Sequence, residues 1–353
     1  MVEDSSRTVG LDLGDRWTHF CVLDASGAVE DRGRVPTSRR SLEGRWTSLG
    51  RCRIALETGS HSPWISRLLE EQGHEVIVAN ARQVRLLGAR STKTDRLDAE
   101  LLARLARSDV RLLGPVRHRG AQAQADRALL QARDTVVQAR TKLINCARGL
   151  VKALGARLPT CSAAAFGRKA REAIPAALRD AVAPLVSQVD ALTQLIREYE
   201  RRIDAVSEER YPATALLRTV NGVGPITALA YVLTLGDPSR FRRSRMVGPY
   251  LGLCPRTDQS GACDPQLPIT KAGDRLLRRL LLQCAHYILG PFGTDCDLRR
   301  WGLARLGPRD RGAKKRALVA VARKLAVRLH RMWMTGETYD PLRVARARGE
   351  IAV

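Results

Sequence analysis

Hydrophobic positions are spaced in three ways along the chain. In the first hundred residues they come as short runs of strand length: Thr8–Gly14, Thr18–Leu23, Val29–Val35, Arg53–Glu57 and Glu75–Asn80. Turn-forming residues such as Asp24-Ala25-Ser26-Gly27 separate them. Thr58 to Pro63 turns and caps a helix from about Trp64 to Gln72, which Gly73 stops. The predicted order β-β-β-α-β-α-β-α gives a mixed sheet with helices on its faces.

From Ala121 to Leu154 the spacing becomes helical. Leu129, Val136, Leu143 and Leu150 recur every seven residues, and Leu130, Val137, Ile144 and Val151 run beside them. Gly155, Pro159 and Pro175 break the pattern. It resumes at Val182, Leu185, Val189, Leu192, Ile196, Tyr199, Ile203 and Val206, alternating steps of three and four. That is the seam of a coiled coil, closed within the chain or between protomers. The remainder is mostly helical, so the chain divides into residues 1–112, 113–210 and 211–353.

Charge narrows the class. Among 353 residues there are 60 basic and 36 acidic, a net +24, and 52 of the basic residues are Arg. Such an excess repels itself unless a polyanion is near, and Arg grips phosphate in bidentate fashion. Aromatics make up 4 %, so contact with backbone phosphates is expected to outweigh stacking on aromatic platforms. Apolar content of 44 % suits a folded protein. No apolar run reaches the roughly 20 residues of a membrane helix, so a cytoplasmic, nucleoid-associated protein is expected. The eight cysteines form no C-x-x-C pair, which favours reduced thiols over a disulfide frame. Cys254, Cys263 and His286 lack the fourth ligand and tight spacing of a zinc site.

The candidate chemistry is acidic. Asp12 and Glu57 end two apolar strands, where an unpartnered acid is costly to bury. Asp95 and Asp98 are three apart at the start of a predicted helix whose Leu97, Leu101, Leu102 and Leu105 repeat at helical spacing, so both carboxylates share one face. Four such carboxylates suit two Mg²⁺ ions roughly 4 Å apart, with Lys93 orienting a phosphate. Downstream, Gly222 and Gly224 sit in a Leu216-to-Ala228 stretch that resembles a helix-hairpin-helix, whose backbone N–H groups can meet phosphate. Ser260 stands in a polar loop beside Arg256 and Lys271. Between Arg299 and Arg331 there are twelve basic residues and one acid; Lys314, Lys315 and Arg316 begin its helical part, and apolar Leu318, Val321, Leu325 and Leu329 share another face.

Asp12, Glu57 and the block Lys93-Thr94-Asp95-x-x-Asp98-Ala99 resemble the DEDD signature of the IS110-type insertion-sequence transposases. The layout G-L-x-P-R…Q-S-G…I-T-K-x-G…L-R, covering Arg256, Ser260, Lys271, Arg275 and Arg278, is similar to their C-terminal domain. The resemblance implies an RNase H-like (RuvC-like) domain first, a helical coiled-coil insertion next and a mostly helical transposase domain last. It implies that Ser260 is a nucleophile joining covalently to DNA, assisted by Mg²⁺ on the acidic quartet. It also implies a guide RNA from the element, and a dimer or a tetramer on DNA. Three rivals stand beside it. A RuvC-like junction endonuclease would use water, a basic scaffold would need none of the acids, and an actin-like sugar kinase would need a second Gly-rich phosphate motif and has no use for the charge.

Overall fold

The first strand, β1 (Thr8–Leu13), pairs antiparallel with β2 (Trp17–Leu23), which pairs antiparallel with β3 (Val29–Pro36). Helix α1 (Arg39–Thr47) then leads to β4 (Arg53–Glu57), helix α2 (Ser62–Glu71) and β5 (Glu75–Ala79). Both later strands run parallel to β1, giving a five-stranded mixed sheet in the order β3-β2-β1-β4-β5. This order and these directions are compatible with an RNase H-like sheet. Helices α3 (Ala81–Leu87) and α4 (Asp95–Ser108) follow. The computed structural model describes residues 7–87, 95–261, 263, 265, 267–306, 312–347 and 349, without the side chains of residues 95 and 96. Lys93 and the side chain of Asp95 therefore lie outside the described residues.

Alternation along the strands sorts the sheet into two faces. Val9, Leu11, Phe20, Val22, Ile54, Leu56 and Val78 point to one face, under Leu42 and Trp46 of α1 and Ile65, Leu68 and Leu69 of α2. Gly10, Ala55 and Ala79 point to the other, where α4 lies with Ala99, Leu102, Ala103 and Ala106. Small residues let that helix settle onto the strands. A Cβ on Gly10 would stand 2.0 Å from the Ala99 carbonyl oxygen and 2.6 Å from the Ala103 nitrogen.

The contacts divide the chain into two compact units, 1–121 and 122–353. The chain beyond 112 stays on the sheet edge: Asn80 N–H donates to the Leu113 carbonyl and Val116 N–H to the Val78 carbonyl. The base of the long hairpin shares a core with the helices beyond it.

In the second unit, α5 (Ala121–Ala153) and α7 (Arg179–Arg210) flank the short α6 (Phe166–Arg171). The long helices run antiparallel: Asp126 meets Arg210, Arg133 pairs with Glu200, and Arg140 donates to Thr193. At the tip Ile144, Val151, Val182, Val186 and Val189 enclose Phe166 and Ala170 of α6. The buried row on α7 is Val182, Val186, Val189, Thr193, Ile196, Ile203 and Val206, so Val186 and Thr193 take the inward positions expected of Leu185 and Leu192. The third helix at the tip accounts for Val186, since it draws in a face broader than a two-helix seam, while Thr193 faces Arg140 of α5.

Beyond it come α8 (Ala213–Arg218), α9 (Pro225–Leu235), α10 (Val247–Tyr250), α11 (Arg275–Leu289), α12 (Asp297–Leu303), α13 (Ala313–Thr335) and α14 (Arg343–Ala347). Every residue of α9 from Thr227 to Leu235 is buried, as suits a central helix. Its Tyr231 hydroxyl donates to the Ala326 carbonyl on α13 at 2.6 Å. Leu130, Ile203 and Val206 of the long hairpin join this core.

Candidate active site and nucleic-acid interface

The acidic residues are best placed by following the strands that carry them. Asp12 lies two positions after Gly10 and Glu57 two after Ala55, so both point to the α4 face, at the C-terminal ends of adjacent parallel strands. Helix α4 runs against β1. Its last turn sits by the strand's start, where Arg107 donates to the Ala25 carbonyl and Arg53 to the Ala106 carbonyl. Its first turn, with Asp95 and Asp98, therefore comes to the end where Asp12 and Glu57 emerge. Asp12, Glu57 and Asp98 are half-buried, and none of the three is without a partner. Among the described residues no three acids, histidines or cysteines close on one another tightly enough to hold a metal ion. Three carboxylates at one end of one sheet face are nevertheless the donor chemistry that Mg²⁺ takes.

A neighbouring pair was not legible in the sequence. Trp64 Nε1–H donates to His61 Nδ1 at 3.1 Å, which leaves the proton on Nε2, 3.3 Å from Asp15. Asp15 follows β1 and His61 begins α2, forty-six positions away, so no local spacing signals them.

Ser260 belongs to the second unit, at the tip of a β-ribbon. Lys271 N–H donates to Gly252 O, Thr270 N–H to Cys254 O and Arg256 N–H to Pro268 O. At the tip Ser260 and Cys263 exchange both backbone bonds, at 3.2 and 3.0 Å, around Gly261 at φ +57°. The ribbon's base explains two glycines of the motif. A Cβ on Gly252 would meet the Ala272 backbone at 2.3 Å, and one on Gly273 would meet Tyr250 O at 2.2 Å. Both have positive φ, which only Gly adopts without strain. Asp274 caps α11 by accepting from Leu277 N–H and pairs with Arg127. Ser260, Arg256, Lys271 and Arg275 are exposed. Arg278 is partly committed inward, donating to the Leu251 and Ala272 carbonyls at 3.0 and 2.6 Å. Its place is under the ribbon, so it serves as a brace first. His286 is exposed.

The glycine hairpin joins α8 to α9. Gly222 takes φ +91°, and Val220 and Val223 on either side are buried. Gly224 caps α9 with φ −87° and ψ 175° and offers no side chain. Pro225 at the first helical position has no N–H, so the backbone donors left for an external acceptor are those of Ile226 and Thr227. Beside the turn lies a cavity of about 440 Å³, walled by Gly222, Gly224, Arg133, Gln283 and Tyr287 among others. Farther along, Lys314, Lys315 and Arg316 stand exposed in the first turn of α13. Trp301 lies between two cations, with Arg305 Cζ 3.7 Å and Lys324 Nζ 4.0 Å from its ring. Burial, then Arg305 and Arg328, hold the Lys324 ammonium below its usual range, so an anion here would relieve cation crowding.

An α/β domain with strand-end carboxylates, followed by a strongly basic helical unit, defines a protein built to act on nucleic acid. A family model described as a transposase of DEDD, IS110 type matches residues 9–155, and one described as "Transposase IS116/IS110/IS902 family" matches residues 214–291. The transposase for insertion sequence element IS1111A of Coxiella burnetii is 28 % identical over 94 % of this chain and 91 % of its own. That for IS1328 of Yersinia enterocolitica is 30 % identical over 78 % of this chain and 82 % of its own. A pilin gene-inverting protein of Moraxella lacunata is 31 % identical over 38 % of this chain and 41 % of its own. The chain belongs to the IS116/IS110/IS902 transposase family, and its activity is that of a DNA transposase. Among the described residues no helix is long and apolar enough to cross a membrane.

Proposed function

We propose that this transposase cuts DNA with Ser260 as nucleophile, supported by the carboxylates Asp12, Glu57, Asp95 and Asp98 on an RNase H-like domain. The observation that carries the reading is the convergence of β1, β4 and the first turn of α4 on one end of one sheet face. Mg²⁺ bound there would lower the pKa of the attacking hydroxyl and neutralise charge on the phosphate. The carboxylates fix that charge and take no part in bonding to DNA. Ser260 Oγ gives up its proton and bonds to phosphorus, while the bond from phosphorus to the leaving deoxyribose oxygen breaks and that oxygen takes a proton. Energy of the phosphodiester is kept in the serine ester, so the reverse step with a new strand end rejoins DNA without net hydrolysis. The pilin gene-inverting relative, named for an inversion, supports that conservative outcome.

The exposed ribbon suits delivery of Ser260 to a substrate. Gly222 and Gly224 would bind backbone phosphate, and Arg256, Lys271, Arg275, Lys314, Lys315 and Arg316 would hold the duplex by charge. Lys93 would orient the reacting phosphate, and Arg278 would brace the ribbon. Sequence choice would come from a structured RNA of the element, and the working form would be a dimer pairing through the α5–α7 hairpin or a tetramer on DNA, in the cytoplasm at the nucleoid. Ser260→Ala and Asp98→Asn test the chemistry on a supercoiled donor plasmid with Mg²⁺. Both should abolish strand cleavage; continued cutting by Ser260→Ala would point to a water-using endonuclease.

A further inference from the structure

Phe292 is 82 % exposed, the most exposed aromatic among the described residues. It is not exposed through looseness. Gly290-Pro291-Phe292-Gly293 forms a tight turn closed by Gly293 N–H to Gly290 O at 3.2 Å. Arg299 Nη1 clamps the turn by donating to the carbonyls of Ile288 and Gly290 at 2.5 and 2.6 Å. A Cβ on Gly293 would strike Ile288 O at 2.2 Å and Arg299 Nη1 at 2.6 Å, so the turn fits only with Gly there. The backbone is fixed and the ring stands in solvent, so about 2 kcal/mol of burial is forgone. A second bond ties the turn to the glycine hairpin: Asn221 Nδ2 donates to Thr294 Oγ1 at 2.7 Å. On the hairpin's other side Tyr287 is 44 % exposed, and its ring would lie 2.8 Å from a Cβ on Gly222.

A rigid, displayed phenyl ring tied to a set of open backbone N–H groups, on a chain of charge +24, matches a surface that takes a phosphate and the base attached to it. We propose that Phe292 is a wedge that stacks on an unpaired or partly unstacked DNA base while the Gly222–Gly224 hairpin holds the adjoining phosphate. Side chains of this type enter weakened base steps, and a rigid ring loses little entropy on stacking. The cavity beside Tyr287 leaves room for a base displaced from the stack. The inference rests on the hairpin reading given above and adds a base-contacting residue to it. It also gives the protein a preference, for DNA distorted at the point of exchange over intact duplex.

The test uses the full chain and two short labelled duplexes, one fully paired and one with a single bulged fluorescent aminopurine. Wild-type protein should bind the bulged duplex more tightly and quench the aminopurine. Phe292→Ala should lose about fivefold or more in affinity for the bulged duplex, together with the quench. Phe292→Trp should keep both, and neither variant should alter binding to paired duplex. Unchanged affinity and quench in Phe292→Ala would overturn the proposal, as would a loss confined to RNA binding or to self-association. Gly224→Asp separates the two readings. If it leaves paired-duplex binding intact, the hairpin reading fails; if it weakens that binding while Phe292→Ala does nothing, only the wedge fails.

Discussion

Replacing Gly224 by Asp sets helix stability and DNA binding in opposite directions. Gly224 caps α9 at φ −87° and ψ 175°, a conformation open to any residue, and a Cβ there meets nothing within 4 Å. Asp is a better cap than Gly by a few tenths of a kcal/mol, because its carboxylate accepts from the first N–H groups of the helix. It also favours the positive end of the helix dipole. The variant should therefore fold at least as well as wild type. For phosphate the change is adverse twice over: the N–H groups are taken, and a negative charge stands where the phosphate belongs. Two unit charges about 4 Å apart repel by about 1 kcal/mol in water and about 4 kcal/mol at a surface dielectric near 20. Affinity for duplex should fall at least about fivefold. Loss of one phosphate contact should flatten the log–log salt dependence by roughly 0.9. Anisotropy of a labelled duplex over a salt series, with a thermal melt alongside, reads both effects. An unchanged melt with unchanged affinity and slope would refute phosphate binding at the hairpin and leave a plain linker.

Further tests bear on the scaffold. Gly10→Ala forces a methyl to within 2.0 Å of the Ala99 carbonyl and should destabilise the first unit by about 3 kcal/mol, read as a lowered melting midpoint; an unshifted melt would show that α4 does not rest on β1. Gly273→Ala should lower the melting midpoint, expose residues 254–271 to protease and stop strand cleavage, since φ +71° and the Tyr250 carbonyl both reject a side chain. Burial holds the His74 imidazole below its usual range. The folded state thus binds that proton less readily than the unfolded chain, so the stabilisation is complete above about pH 6.5 and drains away as pH falls through the lower folded value. His74→Asn should lessen the loss of melting temperature between about pH 6.5 and pH 5; an identical slope in variant and wild type would assign that loss elsewhere, with His118 next, its imidazole held low by burial and by Arg67 and Arg119.

The sheet was legible because strand-length apolar runs and turn residues carry a local signal, and each of the five runs became a strand. The direction of α4 was not. Its contact with β1 is made by Gly10, Ala99 and Ala103, residues too small to leave a hydrophobic pattern. The heptad on α7 is a buried helical row, but Val186 packs into the tip cluster with α6 and Thr193 faces Arg140 of α5, in place of Leu185 and Leu192. Gly252 and Gly273 stood out only as motif letters; the crossing of their two backbones, twenty-one positions apart, gives them a reason. His61 with Asp15 and Thr294 with Asn221 are pairings between distant segments, and periodicity within either segment says nothing of them.

The central claim is that Ser260 becomes esterified to DNA under the direction of carboxylates on the other unit. Wild-type protein incubated with donor DNA and Mg²⁺, then denatured and digested, should yield a peptide carrying a nucleotide on Ser260 by mass spectrometry. That peptide should vanish in Asp12→Asn and when the metal is chelated. Cleaved DNA with free ends and an unmodified Ser260 peptide would contradict the account.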